Sequence, residues 1–287
     1  MDYKKCTLCP RMCGVDRTSG QRGWCGGPDR ALVAKTMIHQ WEEPALAPNG
    51  KSGAIFFGGC TLGCIYCQNR AISKRAVGRE ADSRELRSVM EELIAQGAEN
   101  IDLVTPTHYL PTIVPALEPK LPVPVVYNCG GYERVETLRE LNGLVDIYLP
   151  DLKYADLGLA GGLSGAKDYF PTAAAAIMEM VRQTGKPAWA GEKLIRGTVI
   201  RHLILPGCVE NSLRTMDWIG ENFAPGEVLV SLMRQYTPMD ATKNLPPLNR
   251  RVTDEEYDAV LSWMYLNELE GFVQEDEAAD GKFIPDF

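Results

Sequence analysis

From Ser52 onward, short β-rich runs alternate with amphipathic helical stretches, an order that few folds accommodate. "GAIFFGG" reads as a buried strand that runs into Cys60. In "SRELRSVMEELIAQG", Leu86, Val89, Met90, Leu93 and Ile94 fall at i, i+3, i+4, i+7 and i+8, one face of a helix. Asp82 with Glu85 has the pattern of a capping box, and Gly97 is a natural stop. "NIDLVTP", "VPVVYN", "VDIYLPD", "TVIRHLILPG" and "EVLVSLM" read as further strands. "VETLRELNG", residues 172–185, "NSLRTMDWIGENF" and residues 254–269 read as helices. About six β/α units in series predict an α/β fold, a parallel sheet with right-handed helical crossovers.

Such sheets gather reactive groups at the C-terminal ends of their strands. Here the first strand runs into Cys60, and the later ones into "TPTH", "NCGGY", "PDLK", "PGC" and "RQY". Polar or special residues at every strand end predict an enzyme. Residues 1–51 do not follow the repeat. They are rich in Gly and Cys and poor in apolar periodicity, as expected of a small metal-stapled module, with "EEPALAPNGKSG" as a linker into a domain spanning 52–287.

Seven of the nine cysteines lie in the first 67 residues. No apolar run is long enough for a membrane span, and "MDYKKCTLCPRMCG" has no apolar core of the secretory kind, so a cytoplasmic protein is expected. In a reducing compartment such clusters are metal ligands more often than disulfides. The net charge of −8 is local: residues 253–287 hold eleven acids and one lysine, which leaves the rest near neutral. An acidic end of this kind is ordinarily a solvated one. No basic run interleaved with aromatics makes a positive case for nucleic acid.

"GGCTLGCIYCQN" places Cys60, Cys64 and Cys67 at C-x3-C-x2-C in the loop after the first strand, with Tyr66 before the last cysteine. Iron–sulfur cubanes normally take four thiolates, so three leave one iron open to a ligand from outside the protein. The competing reading is a zinc knuckle completed by a distant Cys129 or Cys208, although structural zinc ligands usually pair as C-x2-C.

The loop resembles the C-x3-C-x-aromatic-C signature of the radical S-adenosylmethionine (SAM) superfamily. "FFGGCTLGCIYCQN", "VVYNCGGYE", "DIYLPDLKY" and "RHLILPG", in this order, resemble the activating enzyme of pyruvate formate-lyase. The resemblance is greatest to the uncharacterised iron–sulfur protein branch of that family, and it takes in "CTLCPRMCGV" and "GQRGWCG" near the start. It implies a partial (β/α)6 TIM-like barrel and a [4Fe–4S] cluster on Cys60, Cys64 and Cys67. SAM would chelate the open iron and be cleaved reductively to a 5′-deoxyadenosyl radical that abstracts hydrogen from a substrate. It also implies a one-electron reductant of flavodoxin or ferredoxin type and, for an activase, a protein substrate that gains a glycyl radical.

Carried over residue by residue, the resemblance places Tyr66 near the adenine and makes Asp151 and Lys153 of "DLK" neighbours of SAM, with Arg201 beside them. Asp151 would bind a ribose hydroxyl or a cation, and Lys153 would pair with the SAM carboxylate. Two departures stand out. The activase Gly-Gly-Glu shelf is replaced by "TPTH", so Thr105, Thr107 and His108 become the candidates to receive the SAM ammonium, with His108 alternatively touching substrate or relaying a proton. Asn128 stands where an activase has an acid, and Gln235 where it has a histidine. These departures point to a different target more than to a different chemistry, so a small molecule, a peptide or a nucleic acid stands beside the protein substrate.

Cys6, Cys9, Cys13 and Cys25 make C-x2-C-x3-C-x11-C in a glycine-rich segment, a pattern that predicts a closed four-thiolate site for zinc or for a second iron–sulfur cluster. Glu42 and Glu43 read as surface acids, and His39 is too isolated to interpret. The rival outside enzymology is an electron-transfer or zinc-stapled binding protein without a SAM site. It predicts that Asp151, Lys153 and Arg201 scatter.

Overall fold

The computed structural model describes residues 1–40 and 43–273; Glu42 and the acidic residues after Val273 lie outside them. Strand β1 (Ala31–His39) runs antiparallel to β2 (Ser52–Phe57), and β3 (Arg79–Ala81) pairs with the other edge of β1. Next come β4 (Asn100–Val104), β5 (Val125–Cys129) and β6 (Ile147–Pro150). A short β7 (Ala188–Ala190) folds back on β8 (Lys193–Leu203), followed by β9 (Leu229–Met233) and β10 (Gly271–Val273). The sheet order is β10-β9-β8-β6-β5-β4-β2-β1-β3. The neighbours from β2 to β10 all pair in parallel. Six parallel strands, β2, β4, β5, β6, β8 and β9, thus stand side by side in chain order, the expected partial (β/α)6 barrel.

The helices are α1 (Arg70–Ser73), α2 (Ser83–Ala95), α3 (Leu110–Ala116), α4 (Val135–Arg139), α5 (Leu157–Ser164), α6 (Tyr169–Thr184), α7 (Val209–Asn222) and α8 (Asp254–Leu266). Strands β2, β5, β6 and β9 are buried at every position, as strands covered on both faces must be. Strand parity then divides the side chains into two sets. Ile55, Phe57, Ile101, Leu103, Val125 and Tyr127 pack in one cluster with Leu86, Val89, Met90 and Leu93 of α2. Val126, Ile147, Leu149, Val199 and Leu229 form another on the concave side. The first set carries the helical layer, at roughly 1.5–3 kcal/mol for each large apolar side chain buried.

Two parts of the architecture were not visible in the sequence pattern. Strand β1 lies within residues 1–51 yet extends the sheet, because an antiparallel edge strand stands outside any β/α repeat. The stretch expected to be a linker enters the concave side. Leu46 is fully buried among the first residues of the strands, Asn100 Nδ2 donates to its carbonyl at 2.7 Å, and Leu194 N donates to the Ala45 carbonyl at 2.8 Å. Helix α5 was also missed. Its three glycines lower helix propensity, and what starts it is Asp156, whose side chain accepts from Leu159 N.

The capping box of α2 forms as expected: Asp82 Oδ1 accepts from Arg84 N and Glu85 N, and Glu85 Oε2 accepts from Asp82 N. Asp82→Ala removes the acceptor of two hydrogen bonds at a helix start, so urea denaturation is expected to show a loss of about 1 kcal/mol with an unchanged slope.

Candidate active site

The cluster loop leaves β2 through Gly58 and Gly59. Gly59 has φ 89°, and a Cβ there would lie 2.5 Å from the Cys25 carbonyl oxygen, so only glycine lets the N-terminal segment lie this close. The loop then doubles back, with Cys67 N donating to Cys64 O and Ile65 N to Leu163 O. Each of the three sulfurs accepts a hydrogen bond. The donors are Leu62 N to Cys60 Sγ at 3.4 Å, Ser164 Oγ to Cys64 Sγ at 3.0 Å, and Ser73 Oγ to Cys67 Sγ at 3.5 Å. Tyr66 is buried, and its hydroxyl lies 2.6 Å from that of Tyr154, which lies 2.7 Å from Ser164 Oγ. A chain of three hydroxyls therefore ends on Cys64.

Burial pushes the Cys60 thiol up to about 12, and the nearby Cys64 and Cys67 add to the shift. Cys67 is raised for the same two reasons. A metal centre displaces the protons of such thiols and stabilises the thiolates. The donor set and its hydrogen bonds therefore fit a cluster with one iron left open.

Strand parity builds the opposite wall. Beyond the apolar residues Val126, Leu149 and Val199, the next inward positions on β5, the end of β6 and β8 are Asn128, Asp151 and Arg201, and Asp151 bridges to Arg201. Asp151 Oδ2 accepts from Lys153 Nζ at 2.5 Å and Asp151 Oδ1 from Arg201 Nε at 3.0 Å. Arg201 donates to Asn128 Oδ1 at 2.6 Å, and Asn128 Nδ2 to Asp102 Oδ2 at 3.3 Å. Burial alone would raise the Asp151 carboxyl, but Arg201 and Lys153 outweigh it and hold the group below its ordinary value. Burial likewise opposes the charge on Lys153, and Asp151 with Cys64 overcomes it, so the ammonium is held charged.

The three cluster cysteines line a cavity of about 260 Å³, and so do Asp151, Lys153 and Arg201. Tyr66, Thr105, Asn128 and Gln235 reach the same cavity. Thr105 holds φ 60°, a left-handed conformation rare for a β-branched residue, with its amide tied to Asn128 O at 2.8 Å. Strain of this kind costs of order 1–3 kcal/mol and concentrates at functional sites. The three charged residues that the rival reading would scatter thus converge beside the cysteines.

Two expected contacts fall elsewhere. Thr107 is buried and donates to Glu133 Oε1 at 2.6 Å. His108 is buried with Nε2 at 2.9 Å from Gly58 O, and burial pushes its imidazole down to about 3. Neither lines the cavity, and an imidazole held neutral so firmly does not relay protons near neutral pH. The short 3-10 helix Thr107–Tyr109 explains this: it turns Thr107 toward Glu133 and His108 toward the Gly58 carbonyl.

Several groups were missed. His39 lines the cavity from the antiparallel strand β1, and Cys129 from the end of β5, while Cys208 does not reach it. Glu43 is half-buried and accepts from the inward-facing Ser231 Oγ at 2.7 Å, in contrast to the surface position expected for it. Asp102 is fully buried in β4 behind Asn128; an acid inside an apolar strand was the available signal. Ser73 and Ser164 carried no signal at all. Glu133 is buried between Thr107 and Tyr127, which donate to it at 2.6 and 3.2 Å, and burial pushes it up to about 7.

The N-terminal segment completes the wall. Arg11 donates to the carbonyls of Thr61, Leu62, Ser164 and Gly165, which brace the cluster loop against α5. Its guanidinium lies 3.9 Å from the Trp24 ring. Among the described residues no three His, Cys, Asp or Glu side chains surround a single ion-sized point, and no helix is long and apolar enough to cross a membrane.

No family model matches the chain. An uncharacterised protein of Methanocaldococcus jannaschii is 29% identical over 275 residues, spanning 90% of this chain and 74% of the relative. Among solved structures, a radical SAM methyltransferase from Sphaerobacter thermophilus superimposes with a TM-score of 0.52 at 13% identity, over 78% of this chain and 66% of that one. SuiB of Streptococcus suis, bound to S-adenosylmethionine, gives 0.53 at 14% identity over 78% of this chain and 50% of that one. Its complex with the precursor peptide SuiA gives 0.52 at 13%, over 76% and 47%. This chain therefore spans about half to two-thirds of the length of these structures, and what it shares with them is the barrel fold.

Two expectations follow. Asp151→Asn leaves Arg201 and Lys153 buried without their carboxylate, and chemical denaturation at pH 7 is expected to show a loss of about 3–5 kcal/mol. Glu133 has a folded value above its unfolded one. Its contribution to stability is therefore full below about pH 4 and is lost as pH rises toward 7, with a slope of up to about 1.4 kcal/mol per pH unit. Glu133→Gln is expected to flatten that slope in denaturation midpoints measured from pH 5 to 7.

Proposed function

We propose that the chain is a radical SAM enzyme whose cluster is held by Cys60, Cys64 and Cys67. What carries the reading is the convergence of three hydrogen-bonded thiols and the Lys153–Asp151–Arg201 group on one cavity at the strand ends. A [4Fe–4S] cluster with SAM on its open iron supplies reductive cleavage of SAM and a radical able to abstract hydrogen. The chain's own residues bind, orient and exclude water. Lys153 holds a buried ammonium on the cavity it shares with the three cysteines, where it would pair with the carboxylate of bound SAM. Asp151, ionised at neutral pH, orients Lys153 and Arg201 and offers an acceptor edge for ribose hydroxyls. The strained Thr105 and Asn128 line the same cavity, and their hydroxyl and carbonyl groups would receive the SAM ammonium. Tyr66 backs the loop with its ring and cannot swing out, because its hydroxyl is tied to Tyr154.

Within that class the substrate is read as a polypeptide glycine, the activase role, with an external flavodoxin- or ferredoxin-type donor. The likeness of "DIYLPDLKY" and "RHLILPG" to the activase motifs supports this, while "TPTH", Asn128 and Gln235 depart from them. The rest of the cavity lining supports it too, where Phe56, Val104, Leu203 and Met233 with His39 offer an apolar wall suited to an uncharged backbone. SuiB, which shares the fold, was captured with a precursor peptide.

The test is anaerobic reconstitution with iron and sulfide, then dithionite and SAM, with 5′-deoxyadenosine followed by chromatography. Deoxyadenosine is expected from the wild-type chain and not from Cys64→Ala. A loaded cluster that neither binds nor cleaves SAM would overturn the reading. Deoxyadenosine whose yield rises with a small molecule or a nucleic acid, and not with a glycine-loop peptide, would overturn the activase role alone.

A further inference from the structure

Arg17 is 1% exposed. Its guanidinium donates to the carbonyls of Pro28 and His108, the latter at 2.6 Å, and one nitrogen lies 3.9 Å from Cys6 Sγ. It stacks over Tyr3 and Tyr109, with ring centroids at 4.4 and 5.4 Å, and its Nε has no partner. Among the described residues no carboxylate forms an ion pair with it. Carbonyl dipoles and aromatic faces ease a buried cation but do not neutralise it, and buried charges are as a rule paired or bound to a metal centre. The charge that balances Arg17 has to come from its own surroundings.

The sulfur beside Arg17, Cys6 Sγ, belongs to a group of four thiols. Cys6 N donates to Val15 O and Gly14 N to Cys6 O, each at 2.9 Å, while Met12 N donates to Cys9 O, so one tight turn holds Cys6, Cys9 and Cys13. Trp24 N donates to Cys13 Sγ at 3.4 Å, and this joins the second arm, which carries Cys25, to the first. Within this fold of chain Cys6 and Cys9 are buried and Cys25 is half-buried. Four thiolates around a divalent ion or a cubane carry net negative charge, the complement that Arg17 lacks.

We propose that Cys6, Cys9, Cys13 and Cys25 bind a thiophilic metal centre as an anionic tetrathiolate, and that Arg17 is buried as its counter-ion. Among the described residues the sulfurs do not surround one ion-sized point; a mononuclear ion would have to draw them together, whereas a cubane binds each sulfur to a different iron. The centre sits against the active-site loop, because the Cys25 carbonyl packs on Gly59, next to Cys60. A loaded centre thereby fixes the segment that carries Arg11 and braces that loop.

The test uses the full chain with Cys60, Cys64 and Cys67 all changed to Ala, so that only the N-terminal set can load. After anaerobic supply of zinc, or of iron with sulfide, bound metal and acid-labile sulfide are counted per chain. Stoichiometric zinc identifies a mononuclear site and stoichiometric iron with sulfide a cluster; either supports the tetrathiolate, and a chain that retains neither overturns it. Cys13→Ser in the otherwise unchanged chain changes an exposed side chain, so the fold is expected to survive and the N-terminal metal to be lost. Retention at full stoichiometry overturns the ligand set. Chelator competition reads the role of Arg17: Arg17→Met is expected to weaken metal affinity about 10–100-fold and Arg17→Lys far less. A charge that matters only to the loaded state also gives Arg17→Met a smaller metal-induced rise in melting temperature than wild type. Equal affinity in wild type and Arg17→Met overturns the counter-ion.

Discussion

The ion pair of Asp151 with Arg201 holds together the seam on which the site depends. Strands β6 and β8 share only two register pairs, Ile147 with Gly197 and Tyr148 with Thr198, before the bridge from Asp151 to Arg201. Above those pairs the strands are joined by the side-chain contact at 3.0 Å and by Leu152 N donating to Arg201 O at 2.8 Å. At an effective dielectric constant near 20, opposite charges 3 Å apart attract by roughly 5 kcal/mol, and desolvation offsets much of that. The net gain is therefore less in stability than in position. Asp151 has one place to be, and Lys153, Asn128 and, through Asn128, Asp102 are aligned from it.

How much of this was legible in the sequence differs by kind of information. The parallel strands announced themselves because strands covered on both faces must be apolar throughout, and "GAIFF" or "DIYLP" shows that without reference to any other part of the chain. The cluster cysteines and the Asp-Lys pair were readable because they stand where strands end. The hydrogen bonds to the sulfurs were not readable. Ser164 reaches Cys64 across 100 residues of chain, and a serine closing a glycine-rich helix looks like any other. His108 misled for a physical reason. Its position in "TPTH" is correct for a strand end, but a 3-10 turn aims it at the Gly58 carbonyl, and spacing alone does not reveal which way a turn faces. Glu43 misled in the opposite sense, since a charged residue in a Pro-rich stretch usually faces water and this one follows the chain into the barrel.

The N-terminal residues illustrate how composition can conceal architecture. Their glycines and cysteines suggest a self-contained knuckle. Yet Arg11 spends its hydrogen bonds on four carbonyls of the barrel, Arg134 Nη1 donates back to Thr7 O at 2.5 Å, and Tyr3 OH lies 2.8 Å from Thr112 Oγ1. These contacts distribute the segment's polar groups over α3, α5 and the loop after β5. The segment behaves as an outer wall of the three-cysteine loop, held by side chains whose partners are far away in sequence.

The buried Leu46 fills the concave side where the strands begin, among Val126, Ile147, Val199 and Leu229, while the cavity lies where they end. One end of the sheet's inner face is therefore solid and the other hollow. Substitutions at the solid end bear on how firmly the strands stand, and substitutions at the hollow end bear on what the cavity admits, so the two properties can be varied separately.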